Sequence, residues 1–323
     1  MTLSNPRMYA AENRFEPADG ITRVDLAELL RLRARAAKPR ATAARIRAPL
    51  AGAHLSSLRG RGMDYAESRV YQAGDDVRNI DWRRTARSGE WHTKLFQEER
   101  ERSLLLLVDT HPEMRFGTRV RYKSVAAARA AALAAWTGVR GGDRVGALAF
   151  GDVRDAVDPH GGVRGALAVL GALARWDARA ASAATAERLR ETLSAALERA
   201  RRLALPGSRL LLLSDGWCTD EAAQRALLRL TRHIDVRVLI VVDALEHELP
   251  PAGAYAFRTD AGRMTVDLSA AAARARFRDD LARGQRMLAG ACDGACVRWA
   301  LLDTGQEPDA VLAQLWKQRG GRR

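Results

Sequence analysis

The chain has 323 residues, 47% of them hydrophobic, and a formal net charge of +14. That is enough apolar material for one large α/β domain with an N-terminal extension, and no run approaches the roughly eighteen apolar residues of a membrane span. Only Lys38, Lys94, Lys123 and Lys317 are lysines; the many arginines lie along helices beside acids, as in 191-ETLSAALERARR-202, which favours solvated surface over the alternative of an arginine-rich nucleic-acid-binding protein.

The opening, MTLSNPRMYAAENRFEP, lacks the basic-then-apolar layout of a secretory signal, so a cytoplasmic location is expected. Cys218, Cys292 and Cys296 are too few and too late for a disulfide framework, and no histidine follows the Cys292/Cys296 pair to complete a zinc site. Residues 1–53 form the extension, with a basic amphipathic helix over 22-TRVDLAELLRLRARAAK-38 that can dock on the body or on a partner. Residues 54–102 are a charged segment that carries Tyr65, Tyr71, Trp82, Trp91 and Phe96, which is too aromatic for a linker.

Residues 103–323 read as alternating strands and helices. The run 103-SLLLLVDT-110 is continuous and apolar, as a strand buried on both faces requires, and an alanine-rich helix follows over 123–140. A strand over 144–152, helices near 163–176 and 185–204, the strand 209-RLLLLSDG-216, a helix near 220–233 and the strand 236-VRVLIVVD-243 continue the pattern. A hairpin over 254–268, helices near 270–290 and 308–318, and a strand over 296–303 complete it. This order predicts a mainly parallel, doubly wound sheet with helices on both faces.

In such a sheet, ligands collect at the carboxyl ends of the strands. Three strands end in acids: Asp109, Asp215 and Asp243. Two converging carboxylates can hold Mg²⁺ through oxygen, or each can cap the turn that follows, and the pattern does not separate the two. The stretch 74-GDDVRNIDWRRTAR-87 poses a second question. Gly74 suits a tight turn, Asp75 or Asp76 can accept from nearby amides, and a short helix is allowed over 77–87. Trp82 offers a face for an arginine plane, and acids this close to arginines are expected to pair in bidentate fashion. The segment is then either a brace or a contact surface. An enzymatic alternative draws Asp75, Asp76 and Asp81 around Mg²⁺, with Arg78, Arg83, Arg84 and Arg87 on a phosphate, as a phosphoryl-transfer site. No Walker loop or Gly-x-Ser-x-Gly elbow accompanies it, so a non-enzymatic role is expected.

The order of apolar strand, Asp, helix, then LLLLSDG resembles a von Willebrand factor type A-like domain. The resemblance implies a metal-ion-dependent adhesion site with Asp109 as its first acid and Asp215 as its third-loop acid. His111 and Glu113 stand where the family has serines, and 158-DPHGGVRG-165 holds no threonine. What is implied is a degenerate Mg²⁺ site of Asp109 and Asp215, with Glu113 and His111 as further donors. The string from Gly60 to Arg100 resembles the signature of domain of unknown function family 58, with matches at Arg69, Tyr71, Gly74, Asp75, Asp76, Arg78, Ile80, Asp81, Trp82, Thr85, Ala86, Arg87, Lys94 and Glu98. That resemblance implies an adaptor that works with a MoxR-type AAA ATPase and other type A proteins in the assembly or maturation of a client complex. Many members carry two N-terminal membrane helices that this sequence lacks, so a soluble form is expected.

Overall fold

Asp19 and Asp25 set the start of the first helix among the described residues. Asp19 Oδ1 accepts from the amides of Ile21, Thr22 and Arg23 at 2.8, 2.8 and 3.0 Å, which holds these residues in a turn. Asp25 then caps α1 (Leu26–Arg31), which runs on into a 3₁₀ turn at Leu32–Ala34. The helix is therefore shorter than the leucine spacing predicts. The computed structural model describes residues 19–36, 63–72, 75–98, 102–182, 190–259 and 262–317. Of these, 19–36 belong with 102–317 in one unit, and 63–98 form a second.

In the second unit, β1 (Met63–Val70) pairs antiparallel with β2 (His92–Glu98), with a bulge between Tyr65 and Glu67. Between them lie a 3₁₀ turn at Val77–Asn79 and α2 (Trp82–Ser88), which ends at Gly89 in the left-handed conformation with φ 75°. Ile80, 3% exposed, bridges to Thr93 and gives this unit its one buried aliphatic anchor among the described residues.

The body alternates as expected: β3 (Ser103–Asp109), α3 (Lys123–Arg140), β4 (Arg144–Phe150), β5 (Asp155–His160), α4 (Gly162–Ser182), α5 (Leu193–Leu203), β6 (Arg209–Ser214), α6 (Ala223–Thr231) and β7 (Asp235–Val242). After the short α7 (Ala244–His247) come the hairpin β8 (Ala254–Thr259) and β9 (Gly262–Asp267), then α8 (Ala271–Leu281), α9 (Arg283–Gly294), β10 (Arg298–Asp303) and α10 (Pro308–Trp316). The six-stranded sheet has the order β10-β7-β6-β3-β4-β5, parallel except for the β4/β5 pair. The chain fills one side of β3 first and then crosses to the other, so strand order reverses between β3 and β6. This is the doubly wound arrangement that the type A resemblance implies, and it sets the ligand crevice at the ends of those two strands.

One element corrects the sequence reading. Residues 155–160, between the predicted strand over 144–152 and the predicted helix near 163–176, form the antiparallel edge strand β5, whose side chains alternate between half-buried and exposed. Pro159 is tolerated there because an edge strand has one ladder side unused.

Alternate residues of β3 feed two cores. Leu104, Leu106 and Val108 pack with α3 and α4, while Leu105 and Leu107 pack with Leu193, Leu197, Leu227 and Leu288 of the helices on the other face. Helix α3 is alanine-rich because it is covered nearly all round: Ala126 to Ala128 and Ala130 to Ala135 are all buried. The N-terminal segment forms part of that cover. Leu29 and Leu32 join the core, Trp136 Nε1 donates to the Leu29 carbonyl at 3.1 Å, and Asp177 Oδ2 accepts from Val24 N at 3.0 Å. Among the described residues no helix is long and apolar enough to cross a membrane.

Candidate functional site

The strand-order reversal brings the end of β3 beside the end of β6, with Val108 opposite Leu213. Asp109 and Ser214 therefore lie level with each other, and Asp215 follows at once. Asp109 is buried, and its two oxygens are fully engaged. Oδ1 accepts from the His111 amide at 2.9 Å and pairs with His111 Nδ1 at 2.7 Å. Oδ2 accepts from Ser214 Oγ at 2.6 Å and from Cys218 Sγ at 3.2 Å. Burial alone would raise the Asp109 carboxyl, but its bonds to His111 and Ser214 hold it below the usual carboxylate range. Burial lowers His111, and the Asp109 carboxylate more than reverses this, so the imidazole is raised above its ordinary value. The Cys218 thiol is pushed well up by burial and by Asp109.

Asp215 turns to a different partner. Its Oδ1 accepts from Trp217 N at 3.1 Å, and its Oδ2 accepts from Lys123 Nζ at 3.2 Å. Lys123, the first residue of α3, is 2% exposed; it also forms an ion pair with Glu246 of α7 and lies 5.5 Å from the centre of the Phe116 ring. Burial works against the ammonium, but Asp215 and Glu246 outweigh it and raise Lys123. Both acids are themselves raised, chiefly by burial. Asp243 is a structural latch: it accepts from Leu245 N at 3.1 Å, Thr118 N at 3.0 Å and Thr304 Oγ1 at 2.9 Å.

Of the four residues expected to share Mg²⁺, the fold thus joins Asp109 to His111, commits Asp215 to Lys123 and leaves Glu113 exposed on the 3₁₀ turn at Pro112–Arg115. A hard cation needs about six oxygen ligands in one place. Here the second acid already faces an ammonium, and the former serine positions offer an imidazole and a solvent-facing carboxylate, so the residues do not fit the oxygen-only site. Sequence reasoning missed Lys123, Ser214, Cys218 and Glu246. Lys123 did carry a signal: it is one of four lysines in an arginine-rich chain, at the head of an alanine helix. A compact ammonium serves a closed site where a guanidinium fork would not.

The signature residues in the second unit divide into two sets. Asp75 accepts from Arg69 Nη2 at 2.7 Å and from Gln72 N at 3.0 Å, and Asp76 accepts from Arg78 N at 2.9 Å. Asp81 caps α2 through Arg84 N at 3.2 Å, and its other oxygen accepts from Ser68 Oγ at 2.7 Å on β1. These bonds, that to Ser68 foremost, hold its carboxyl below the usual range. Thr85 Oγ1 accepts from His92 N at 3.0 Å and so ties α2 to β2, and the Tyr71 and Trp91 rings meet at 5.9 Å. These residues form the frame. Facing outward are Arg78, Arg83, Arg84 and Arg87, with Trp82 at 65%, Val77 at 56% and Trp91 at 54% exposure. Arg83, Arg84 and Arg87 line an open depression with Asp81 and Ser88.

Two expectations are corrected here. The acids bind backbone amides more than arginines, and the one Arg–Asp pair seen among the described residues of this unit is not bidentate. Among the described residues no arginine lies over Trp82; guanidinium groups lie over Trp136 and Trp316 instead. The turn expected at Gly74 lies outside the described residues.

The chain is similar to several known proteins. The family described as protein of unknown function DUF58 matches residues 67–287. Uncharacterized proteins of Mycobacterium bovis and Mycobacterium tuberculosis are 30% identical over 240 residues, covering 72% of this chain and 71% of each relative. Among solved structures, an aerotolerance-related membrane protein from Bacteroides fragilis shares 15% identity with a TM-score of 0.43, over 66% of this chain and 98% of that one. The conserved hypothetical protein BatB from Bacteroides thetaiotaomicron gives 13% and 0.41, over 66% and 96%.

Proposed function

The chain belongs to the DUF58 family, and from that premise we propose that it is a non-enzymatic interaction module, an adaptor that docks a MoxR-type AAA ATPase, and through it other type A proteins, in the cytoplasm. The observation that carries this reading is the division within the signature unit. Asp75, Asp76, Asp81 and Thr85 are engaged by nearby amides and side chains, while Trp82, Trp91 and four arginines remain exposed. Tryptophan and arginine are the residue types that dominate binding energy at protein interfaces, where the indole fills a pocket and the guanidinium pairs with acids. The partner surface that matches this face is acidic with an apolar cleft.

The buried charges of the body support the same reading. Lys123 with Asp215 and Glu246, and Asp109 with His111, Ser214 and Cys218, satisfy one another inside the protein. A phosphoryl-transfer site has less support, since Asp75, Asp76 and Asp81 each use an oxygen on a local amide. The test is binding of the purified chain to a purified MoxR-type ATPase from the same organism. Trp82→Ala combined with Arg84→Ala is expected to weaken it by about tenfold or more. Full affinity in a folded double variant, or turnover of a phosphate ester that Asp76→Asn abolishes, would overturn the proposal.

A further inference from the structure

Three side chains at the ends of β3 and β6 hold one donor of each kind that a borderline metal prefers. Asp109 supplies a carboxylate oxygen, His111 an imidazole nitrogen and Cys218 a sulfur, and these atoms lie within 4.8 Å of one another. We propose that Asp109, His111 and Cys218 bind a borderline divalent transition metal, with Zn²⁺ as the expected ion. Mixed oxygen, nitrogen and sulfur ligation is the chemistry of zinc, and three protein ligands leave a fourth tetrahedral position for water or Ser214 Oγ. An oxygen-only Mg²⁺ site is a different chemistry, and Asp215, whose oxygen such a site would need, is held by Lys123.

The surroundings are built around the donors. Ser214 Oγ donates to Asp109 Oδ2 at 2.6 Å, lies 3.4 Å from Cys218 Sγ and accepts from Gly216 N at 3.0 Å. It therefore orients carboxylate and sulfur together, as the outer partners of metal ligands do. Phe150 meets the His111 ring edge-on at 5.7 Å with planes at 72°, which fixes the imidazole plane. Gly151, at φ 101°, makes room for that ring: a Cβ there would sit 2.6 Å from His111 Nδ1. All three ligands stand on strand ends of the central sheet or on the short turns that leave them. Asp109 and His111 are buried, and Cys218 is the partly exposed member of the three. On binding, the metal takes the place of the thiol proton and of any proton on Nδ1, and these pass to solvent.

The test uses the full chain with Cys292→Ser and Cys296→Ser, so that Cys218 is the sole thiol. Titration with Co²⁺, a spectroscopic stand-in for Zn²⁺, is expected to saturate at one ion per chain. It should give a thiolate-to-cobalt charge-transfer band with tetrahedral ligand-field bands, and stoichiometric Zn²⁺ should abolish both. Cys218→Ser should remove the charge-transfer band while the protein keeps its circular dichroism spectrum. Ser214→Ala should keep the band and lower the affinity by about 10–100-fold. Absence of a thiolate band in the single-thiol protein, or a band that survives Cys218→Ser, would overturn the assignment. So would tight Mg²⁺ binding at Asp109 that Zn²⁺ does not displace.

Discussion

In the body, Lys123, Asp215 and Glu246 are all buried, with both acids paired to the one ammonium, and Asp109 keeps both oxygens engaged in the sheet crevice. In the 63–98 unit, Arg78, Arg83, Arg84 and Arg87 are exposed, and Trp82 stands in solvent beside them. The same residue types thus serve different ends. A charge enclosed by low dielectric must be paired or it costs several kcal/mol, so the body closes its charges on themselves. A charge in water costs little, and the second unit can leave its arginines outward because Asp75, Asp76, Asp81 and Thr85 already fix the backbone. The first arrangement stabilises the body, and the second leaves a face free to bind.

The closed body is most sensitive at Lys123. Lys123→Met leaves Asp215 and Glu246 buried without their cation and is expected to cost about 3–5 kcal/mol, read as a lower midpoint of urea unfolding. An unchanged midpoint would mean that the pair is solvated after all. Leu29→Ala comes next. It opens a cavity where the N-terminal segment joins the core and should cost about 2–4 kcal/mol, which would separate a structural part of the body from a loose appendage. Trp136→Phe removes the bond to the Leu29 carbonyl and should cost about 1 kcal/mol in the same assay.

A smaller effect is expected from pH. Burial raises the Glu307 carboxyl, but Arg129 and then Arg35 outweigh it, so its folded value lies below the ordinary 4.5. A carboxylate lowered by folding contributes stability that is present above its unfolded value and lost as pH falls through the folded one. Melting temperature should therefore decline as pH drops below about 4.5, and Glu307→Gln should flatten that part of the profile. The smallest stability effect is expected from Trp82→Ala, within about 0.5 kcal/mol of wild type, because the indole is largely exposed. A large loss of stability there would turn the contact face back into a brace.

Much of the fold is legible because burial on both faces leaves a simple mark. The apolar runs of β3, β6 and β7 can only be interior strands, and the helices between them force a parallel sheet. The edge strand β5 escaped because it alternates, contains Pro159 and pairs on one side only. The site was half legible. The strand-end pattern marks Asp109 and Asp215, and the type A resemblance adds His111 beside the first. Lys123 is far in sequence from Asp215 and Glu246, as Cys218 is from Asp109, and only the tertiary path joins them. In the signature unit, composition showed many opposite charges but not their direction. Amides compete with guanidinium groups for each carboxylate, and at Asp76 and Asp81 the nearby amides won.

The central claim is that the exposed tryptophan and arginines of the second unit bind a partner that the closed charges of the body do not touch. It is tested most directly by titrating the purified MoxR-type ATPase with wild-type chain, with Trp82→Ala/Arg84→Ala, and with Glu307→Gln as a control on the body. The account predicts affinity lower by about tenfold or more in the double variant alone, with its melting temperature unchanged. Equal affinity for all three proteins would contradict it.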